Sequence, residues 1–204
     1  MTPEIKKIVG IVIAVGILWV AYYGSYLPYT KSAAFISALQ QIKSARSLAD
    51  FENTVGPVLD APSPIGQEEL VRNTSSIVLS IVQSNGQQTE ITKEVIRFLR
   101  QYADPIIARE KGMSFLQNTY VLGLIHTTAY DKTGDKNYLQ QAKVYFELSK
   151  KLGPNRPQTL YGLFGVYKAL GEKEKAIETG EHIVRLWPTD TRTTQLVKQL
   201  EGEQ

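Results

Sequence analysis

The side chains best suited to chemistry are few in this sequence and lie far apart. The chain has 204 residues and no cysteine, so it offers no thiolate nucleophile, no disulfide and no cysteine-based metal site. Its two histidines are His126 and His182, and Glu178 is the one carboxylate three or four residues from either of them. Such isolated histidines do not build a metal site or a catalytic pair. We expect both to be packed or surface helix residues.

The acidic residues give no stronger signal. Asp131 and Asp135 flank a Lys-Thr-Gly turn that lacks the alternating ligands and the terminal Glu of a calcium loop. Glu68 and Glu69 fit the first turn of a helix, where the helix dipole favours negative charge. The nucleotide-binding, nucleophile-elbow and zinc-protease motifs do not occur. We therefore expect no cofactor, no metal and no enzymatic activity.

The charge balance excludes another class of function. There are 23 basic and 20 acidic residues, for a net charge of +3, and neither terminus forms a charged tail. Nucleic-acid-binding proteins usually concentrate basic residues in a patch or a stripe. We expect no nucleic-acid partner.

One segment near the amino terminus is strongly apolar. No charged residue occurs between Lys7 and Lys31, and residues 8–27 read IVGIVIAVGILWVAYYGSYL. As a helix, this segment is about 30 Å long, which matches the hydrocarbon core of a bilayer. Trp19 and the tyrosines that follow it suit the headgroup region. The pattern predicts a single membrane anchor over residues 1–30 that contacts the lipid bilayer through residues 8–27.

A cleaved signal peptide is the main alternative for this segment. Cleavage sites carry small residues in an Ala-x-Ala-like pattern, whereas this run ends in tyrosines, which favours an uncleaved anchor. Lys6 and Lys7 favour a cytoplasmic amino terminus, with the rest of the chain outside the cytoplasm. Lys31, Lys43 and Arg46 on the other side weaken that bias.

The remaining sequence predicts an all-α protein. Apolar residues recur at intervals of three and four, and no sustained alternation typical of strands occurs. Asp104-Pro105 is expected to break or kink a helix, with a short helix restarting at Pro105 and running to about Glu110. Ser47 is expected to cap the helix that follows it. The predicted helices before the carboxyl-terminal third contain residues 35–42, 48–59, 70–82, 91–102 and 114–131.

The carboxyl-terminal third carries an internal repeat. Pro154 and Pro188 are 34 residues apart, and so are Ala142 and Ala176. A period of 34 residues is typical of stacked helical hairpins. Each alanine allows two helices to approach closely, and each proline ends the second helix of a pair. Gly171 is expected in the turn inside a pair, in a left-handed conformation.

At these residues the sequence resembles the tetratricopeptide repeat (TPR) family. The resemblance implies an α-solenoid of stacked hairpins over residues 113–204, closed by a capping helix, with degenerate hairpins over residues 31–112. Phe164 and Gly180 depart from the family pattern of a small residue and an aromatic, and we expect Gly165 to compensate. Seven extra residues before Ala142 predict a longer first helix or turn. The residues that define the repeats are Gly123, Ala142, Phe146, Pro154, Leu163, Tyr167, Gly171, Ala176 and Pro188.

The TPR register also predicts a peptide-binding groove. Side chains of the first helix in each pair line the concave side of such arrays, which commonly binds an extended or helical peptide. The alternative is that these residues are solvated or pack between repeats. The candidate groove residues are Gln117, Tyr120, Thr127, Gln158, Tyr161 and Lys168.

Together these features predict a membrane-anchored TPR-like scaffold or adaptor at the bacterial cell envelope. Its expected partner is a membrane-associated protein, and its oligomeric state stays open. A looser resemblance links residues 149–177, SKKLGPNRPQTLYGLFGVYKALGEKEKAI, to the carboxyl-terminal region of bacterial O-antigen ligase or polymerase-like membrane proteins. That resemblance implies an accessory role in surface polysaccharide assembly as the alternative function.

Overall fold

The computed structural model describes residues 2–43, 47–85, 88–111 and 114–202, and within these ranges the regular structure is entirely helical. The all-α prediction is confirmed for this part of the chain. Two compact units are present, Met1–Leu70 and Val71–Gln204, and the boundary predicted at residue 112 lies outside the described residues. The helices are α1 (Pro3–Ala21), a π-helical turn (Tyr22–Tyr26), α2 (Leu27–Ile42), α3 (Leu48–Asp60), α4 (Gln67–Asn85), α5 (Thr89–Ile107), α6 (Phe115–Thr133), α7 (Lys136–Leu152), α8 (Pro157–Leu170), α9 (Lys173–Leu186) and α10 (Thr191–Gly202).

In the first unit, α1, the π-helical turn and α2 form one continuous helix of 40 residues from Pro3 to Ile42. The helix is long and apolar enough to cross a membrane, as the sequence predicted, and it continues well past residue 30. Pro28 does not end it, because a wider turn lies immediately before the proline. There the Leu27 N–H bonds to the Tyr22 carbonyl, an arrangement that accommodates the N–H missing from Pro28.

The second half of this helix packs against α3. Phe35 and Ala38 of α2 are buried, as are Phe51, Val55 and Leu59 of α3. The apolar residues on each helix recur at helical spacing, so each helix presents one apolar stripe to the other. The two helices form a hairpin around this shared core.

Two sets of polar contacts stabilise the hairpin. Ser47 caps α3: its hydroxyl accepts the Asp50 N–H at 3.1 Å, and the Asp50 carboxylate accepts the Ser47 N–H at 3.1 Å. This reciprocal pair confirms the predicted cap. At the other end of α3, the buried Lys31 ammonium donates to the carbonyls of Leu59 at 3.1 Å and Ala61 at 2.5 Å. A cation suits the carbonyl end of a helix, where the dipole is negative.

In the second unit, α5 contradicts the predicted break at Asp104-Pro105. The helix runs through Pro105 to Ile107, and the separate helix expected to reach Glu110 does not form. Pro105 removes the bond to the Gln101 carbonyl, but both residues lie on the exposed side of α5, where water can replace it. Burial of Ile106 and Ile107 favours continuation of the helix.

From α6 onward, each helix packs against the next one along the chain. Gly171 has a φ of +75° in the turn between α8 and α9, as predicted. The α6 helix has 19 residues and α8 has 14, so the extra residues lengthen the first helix. Pro154 and Pro188 each lie two residues after the end of a helix, α7 at Leu152 and α9 at Leu186.

The core of this part of the chain contains most residues of the predicted repeat pattern. Ala142 and Ala176 are fully buried, which is consistent with close helix approach. One cluster of buried side chains links α7, α8, α9 and α10. Its members from the repeat pattern are Ala142, Phe146, Leu163, Tyr167 and Ala176.

Two glycines make room for two aromatic rings. A methyl group at Gly123 would lie 2.6 Å from the Phe146 ring, so this small residue on α6 faces a large one on α7. A methyl group at Gly180 would lie 2.9 Å from the Phe164 ring, so here the large residue is on α8 and the small one on α9. Gly165 is exposed, and a methyl group there would meet nothing within 4 Å. The residue that accommodates Phe164 is therefore Gly180, and the compensation expected of Gly165 is wrong.

Candidate functional site

A groove lies in the second unit between α8 and the start of α10, and we call it the α8–α10 groove. It has a volume of about 710 Å³ and is open to solvent. Its apolar floor includes Phe164 and Leu196, and charged side chains flank the floor. The residues that give the groove its character are Tyr161, Phe164, Lys168, Asp190, Arg192 and Leu196.

A hydrogen-bonded carboxylate organises one wall of this groove. Asp190 precedes α10 and accepts the Thr193 N–H at 3.0 Å and the Thr193 hydroxyl at 2.6 Å. The Tyr161 hydroxyl donates to the same carboxylate at 2.7 Å. These hydrogen bonds, those from Thr193 most of all, lower the pKa of Asp190 from 3.8 to about 2. The Asp190 charge is therefore fixed and internally bonded at neutral pH, and it ties α8 to the start of α10.

The Tyr161 ring forms part of the same wall. It stacks on Trp187 with ring centroids 6.0 Å apart, and 41% of its surface is exposed. The hydrogen bond to Asp190 raises the pKa of Tyr161, so the hydroxyl stays protonated and continues to donate. Offset rings of this kind present a rigid apolar surface with one polar end, which is suited to contact with a peptide.

Two cations complete the groove. The Lys168 ammonium lies 5.4 Å from the centre of the Phe164 ring, and Arg192 is exposed on the α10 side. Within the described part of the chain, neither Lys168 nor Arg192 forms a salt bridge. The lining therefore contains two cations and one carboxylate, so the net charge that the groove offers to a ligand is positive.

Of the six predicted groove residues, Tyr161 and Lys168 line the α8–α10 groove. Gln158 is exposed in the first turn of α8 and does not line it. The three residues on α6 have other contacts. Gln117 is exposed and accepts a hydrogen bond from Arg72 at 2.6 Å. The Thr127 hydroxyl donates to the Gly123 carbonyl of its own helix at 2.9 Å.

Tyr120 is half-buried and packs between other side chains. Its ring centre is 6.1 Å from that of Phe146, and the Arg156 guanidinium lies 5.7 Å from it. A cation over an aromatic face is a stabilising contact. Tyr120 thus corresponds to the inter-repeat packing role that the sequence left open as an alternative.

Sequence reasoning did not assign five further lining residues to the site, namely Phe164, Asp190, Arg192, Thr193 and Leu196. A signal was present for Asp190, because Asp directly before a helix is a preferred N-terminal cap. The Asp190 carboxylate also accepts a bond from Tyr161, 29 residues earlier. That long-range pairing depends on tertiary packing.

A second surface cavity, of about 820 Å³, lies between α5, α6 and α7 and has His126 in its lining. Burial lowers the pKa of His126 from 6.5 to about 4, so the ring is neutral at pH 7. In the tautomer that pairs with the helix, its Nδ1–H donates to the Leu122 carbonyl at 2.8 Å. Arg97 and Arg100 at the rim pair with Glu94 and Asp104. Among the described residues no group of three or more His, Cys, Asp or Glu side chains could hold a metal ion.

Comparison with known proteins adds no assignment. No protein-family model matches the chain, and no curated protein matches it in sequence. The resemblances to the TPR family and to O-antigen ligase-like proteins therefore stay predictions that rest on the residues quoted for them. The α8–α10 groove and the apolar amino-terminal helix are the two features from which a function can be argued.

Proposed function

We propose that this protein is a single-pass, membrane-anchored adaptor whose TPR-like helical repeats bind a segment of a membrane-associated protein. The observation that carries the proposal is the α8–α10 groove, in which two cations flank an apolar floor. It is supported by a separate amino-terminal helix that is long and apolar enough to span a bilayer. An anchor raises the effective concentration of the groove for partners in the same membrane.

The chemistry of the groove favours an acidic segment with an apolar side chain. Phe164 and Leu196 offer a surface on which an aliphatic or aromatic side chain can be buried. Lys168 and Arg192 lie beside that surface and can bind carboxylates. Arginine binds a carboxylate through two parallel N–H donors. Asp190 keeps its negative charge, because Tyr161 and Thr193 are neutral donors, but the two cations outnumber it.

In-membrane cross-linking tests this proposal directly. A photoreactive residue at Ala169 samples the groove, and one at Val144, which is exposed on α7, serves as the matched control. We expect position 169 to cross-link to a membrane-associated protein, through a segment in which Asp or Glu flanks an apolar residue. Combining it with Lys168→Glu and Arg192→Glu should abolish that adduct, whereas Lys168→Arg should preserve it. Identical adducts from both positions, or adducts unchanged by charge reversal, would refute the proposal.

We further propose that the amino terminus is cytoplasmic and that the repeats lie outside the cytoplasm, in a bacterial envelope. Lys6 and Lys7 directly before the apolar segment support this orientation. Because the chain lacks cysteine, single introduced cysteines report it without background. A membrane-impermeant maleimide should label Ile36→Cys in intact bacterial spheroplasts and Thr2→Cys only after lysis. The reverse pattern would show that the orientation is inverted.

A further inference from the structure

The loop between α3 and α4, residues 61–66, has the sequence Ala-Pro-Ser-Pro-Ile-Gly. Ile65 in this loop is 61% exposed, although it is a large aliphatic residue. The loop itself has no charged residue and two prolines, Pro62 and Pro64. Single exposed apolar side chains are common on protein surfaces, so the significance of this one depends on its place in the first unit.

Lys31 fixes the position of the loop along the axis of the amino-terminal helix, relative to the end of the apolar segment. Its ammonium donates to Leu59, to Ala61 and to the Gln67 side-chain carbonyl, so it contacts both ends of the loop. Lys31 is four residues after Leu27, the last residue of the apolar segment, which is about 6 Å along a helix. Side chains on a helix also lean toward its amino terminus, which brings this contact still closer to the apolar segment.

The direction of α3 also places the loop near the end of the apolar segment. Lys31 near the start of α2 contacts Leu59 near the end of α3, so the two helices run antiparallel and α3 returns toward the apolar segment. All residues from Thr2 to Tyr26 are exposed, and the first partly buried residues are Leu27 and Pro28. The folded part of this unit therefore begins where the apolar segment ends. The tyrosines at this level, Tyr26 and Tyr29, are 57% and 73% exposed.

From this arrangement we infer that the loop 61–66 contacts the lipid surface, with Ile65 inserted among the headgroups of the leaflet from which the anchor emerges. The inference rests on the proposed membrane anchor, since it takes its depth from residues 8–27. Tyr26 and Tyr29 occupy the same interface, where amphipathic rings are favoured. The helix and the loop then hold the hairpin against the membrane at two points.

The free-energy cost of removing this loop from water is low. Pro62 and Pro64 have no backbone N–H that would need a partner away from water. The Ser63 hydroxyl donates to the Ile65 carbonyl at 2.7 Å, so the polar group next to the inserted side chain is already satisfied. The prolines also restrict the backbone before binding, which reduces the entropy lost on contact. Asp60 at the end of α3 is exposed and limits insertion to the headgroup region.

Spin labelling of the full chain in phosphatidylcholine vesicles tests the inference. Single cysteines replace Ile13 in the anchor, Ile65 in the loop and Ile36 on α2, and each carries a nitroxide. Ile36 is the matched control, because it is 59% exposed and lies about 14 Å beyond Leu27 along the helix. We expect the label at position 65 to be several-fold less accessible to a water-soluble nickel complex than the label at position 36, and more accessible to oxygen.

Two further comparisons distinguish failure of the anchor proposal from failure of the loop inference. If position 13 is as accessible to nickel as position 36, the anchor proposal fails; if position 13 is in the bilayer but 65 matches 36, the loop inference alone fails. A label at Pro62→Cys then isolates the role of Ile65 itself. Changing Ile65→Glu should return that label to the nickel accessibility of position 36, and an unchanged accessibility would overturn the role given to Ile65.

Discussion

The two hairpins of the second unit, α6–α7 and α8–α9, satisfy the same packing requirement with the residue sizes exchanged. In the first hairpin Gly123 on the leading helix accommodates Phe146 on the following one. In the second hairpin Phe164 is on the leading helix and Gly180 on the following one. The structure thus preserves the combined size of the two residues rather than the residue type at either position, as close-packed interiors require.

The exchange has a consequence for function. Phe146 is fully buried, and methyl groups at Gly123 and Gly162 would both lie within 3 Å of its ring, so it acts only in packing. Phe164 on the leading helix forms the floor of the α8–α10 groove, with the Lys168 ammonium 5.4 Å from its centre. Moving the aromatic ring to the leading helix therefore places it in the lining of the groove, with 5% of its surface exposed.

Truncation of the two rings should separate packing from groove lining. We expect Phe146→Ala to lower the free energy of unfolding by about 3–5 kcal/mol, because it leaves a closed cavity between two glycine-bearing helices. Phe164→Ala should cost less, since water in the open groove can fill part of the space. Urea denaturation of the full chain in detergent, followed by circular dichroism, measures both values. An equal or larger loss for Phe164→Ala would show that the two rings are equivalent in packing.

Acidic pH should destabilise the first hairpin through His126, which is buried in α6. Burial lowers the pKa of His126 from 6.5 to about 4, so between these values the unfolded chain binds a proton that the folded chain does not. Stability from this group is therefore complete above pH 6.5 and falls as the pH decreases toward 4. The full difference is about 3 kcal/mol.

The dependence of unfolding free energy on pH distinguishes the two histidines. His126→Gln should flatten the slope between pH 6.5 and 4, whatever its effect on absolute stability, because an amide does not titrate there. His182→Gln is the matched control, since His182 bonds to Asn155 at the surface of the second hairpin. A slope that persists in His126→Gln would mean that the lost stability comes from other groups.

The sequence predicted the elements of these hairpins better than the pairing of their side chains. The period of 34 residues located Ala142, Ala176 and the two helix-ending prolines, and Gly171 was recognisable because a tight turn favours a left-handed glycine. Gly165 was expected to accommodate Phe164, and this was wrong. Gly180 does so from the next helix, and a repeat pattern read along one chain does not identify contacts between helices.

The same limit applies to Pro105 and to the groove. A local rule predicted a break or a kink at Pro105. The helix is not broken there, because burial of Ile106 and Ile107 favours its continuation. Tyr161 and Lys168 were predicted from register and do line the groove, whereas Asp190, just before α10, and Arg192, in α10, lie outside the repeat. Residues contributed by one periodic helix can be foreseen from its period, and those contributed by a neighbouring element cannot.

The smallest expected effects come from methyl groups added at Gly180 and Gly165. Alanine is a better helix former than glycine by up to about 1 kcal/mol, so a Gly→Ala change with free space should stabilise. At Gly165 nothing lies within 4 Å, and we expect a gain of about 0.5–1 kcal/mol. At Gly180 the new methyl would lie 2.4 Å from Val197 and 2.9 Å from Phe164, and we expect a loss of about 1–3 kcal/mol.

The opposite signs at two helix glycines test whether Gly180 is the residue that accommodates Phe164. Thermal unfolding of the full chain gives the shift in midpoint for each variant, and Val197→Ala added to Gly180→Ala resolves the source of the loss. If the clash is with Val197 and the adjacent ring, the two changes together should cost less than the sum of the two singles, by at least about 0.5 kcal/mol. Strict additivity, or stabilisation by Gly180→Ala alone, would mean that α9 and α10 shift apart without cost. The size exchange between the hairpins would then be tolerated by movement of helices rather than fixed by complementary packing.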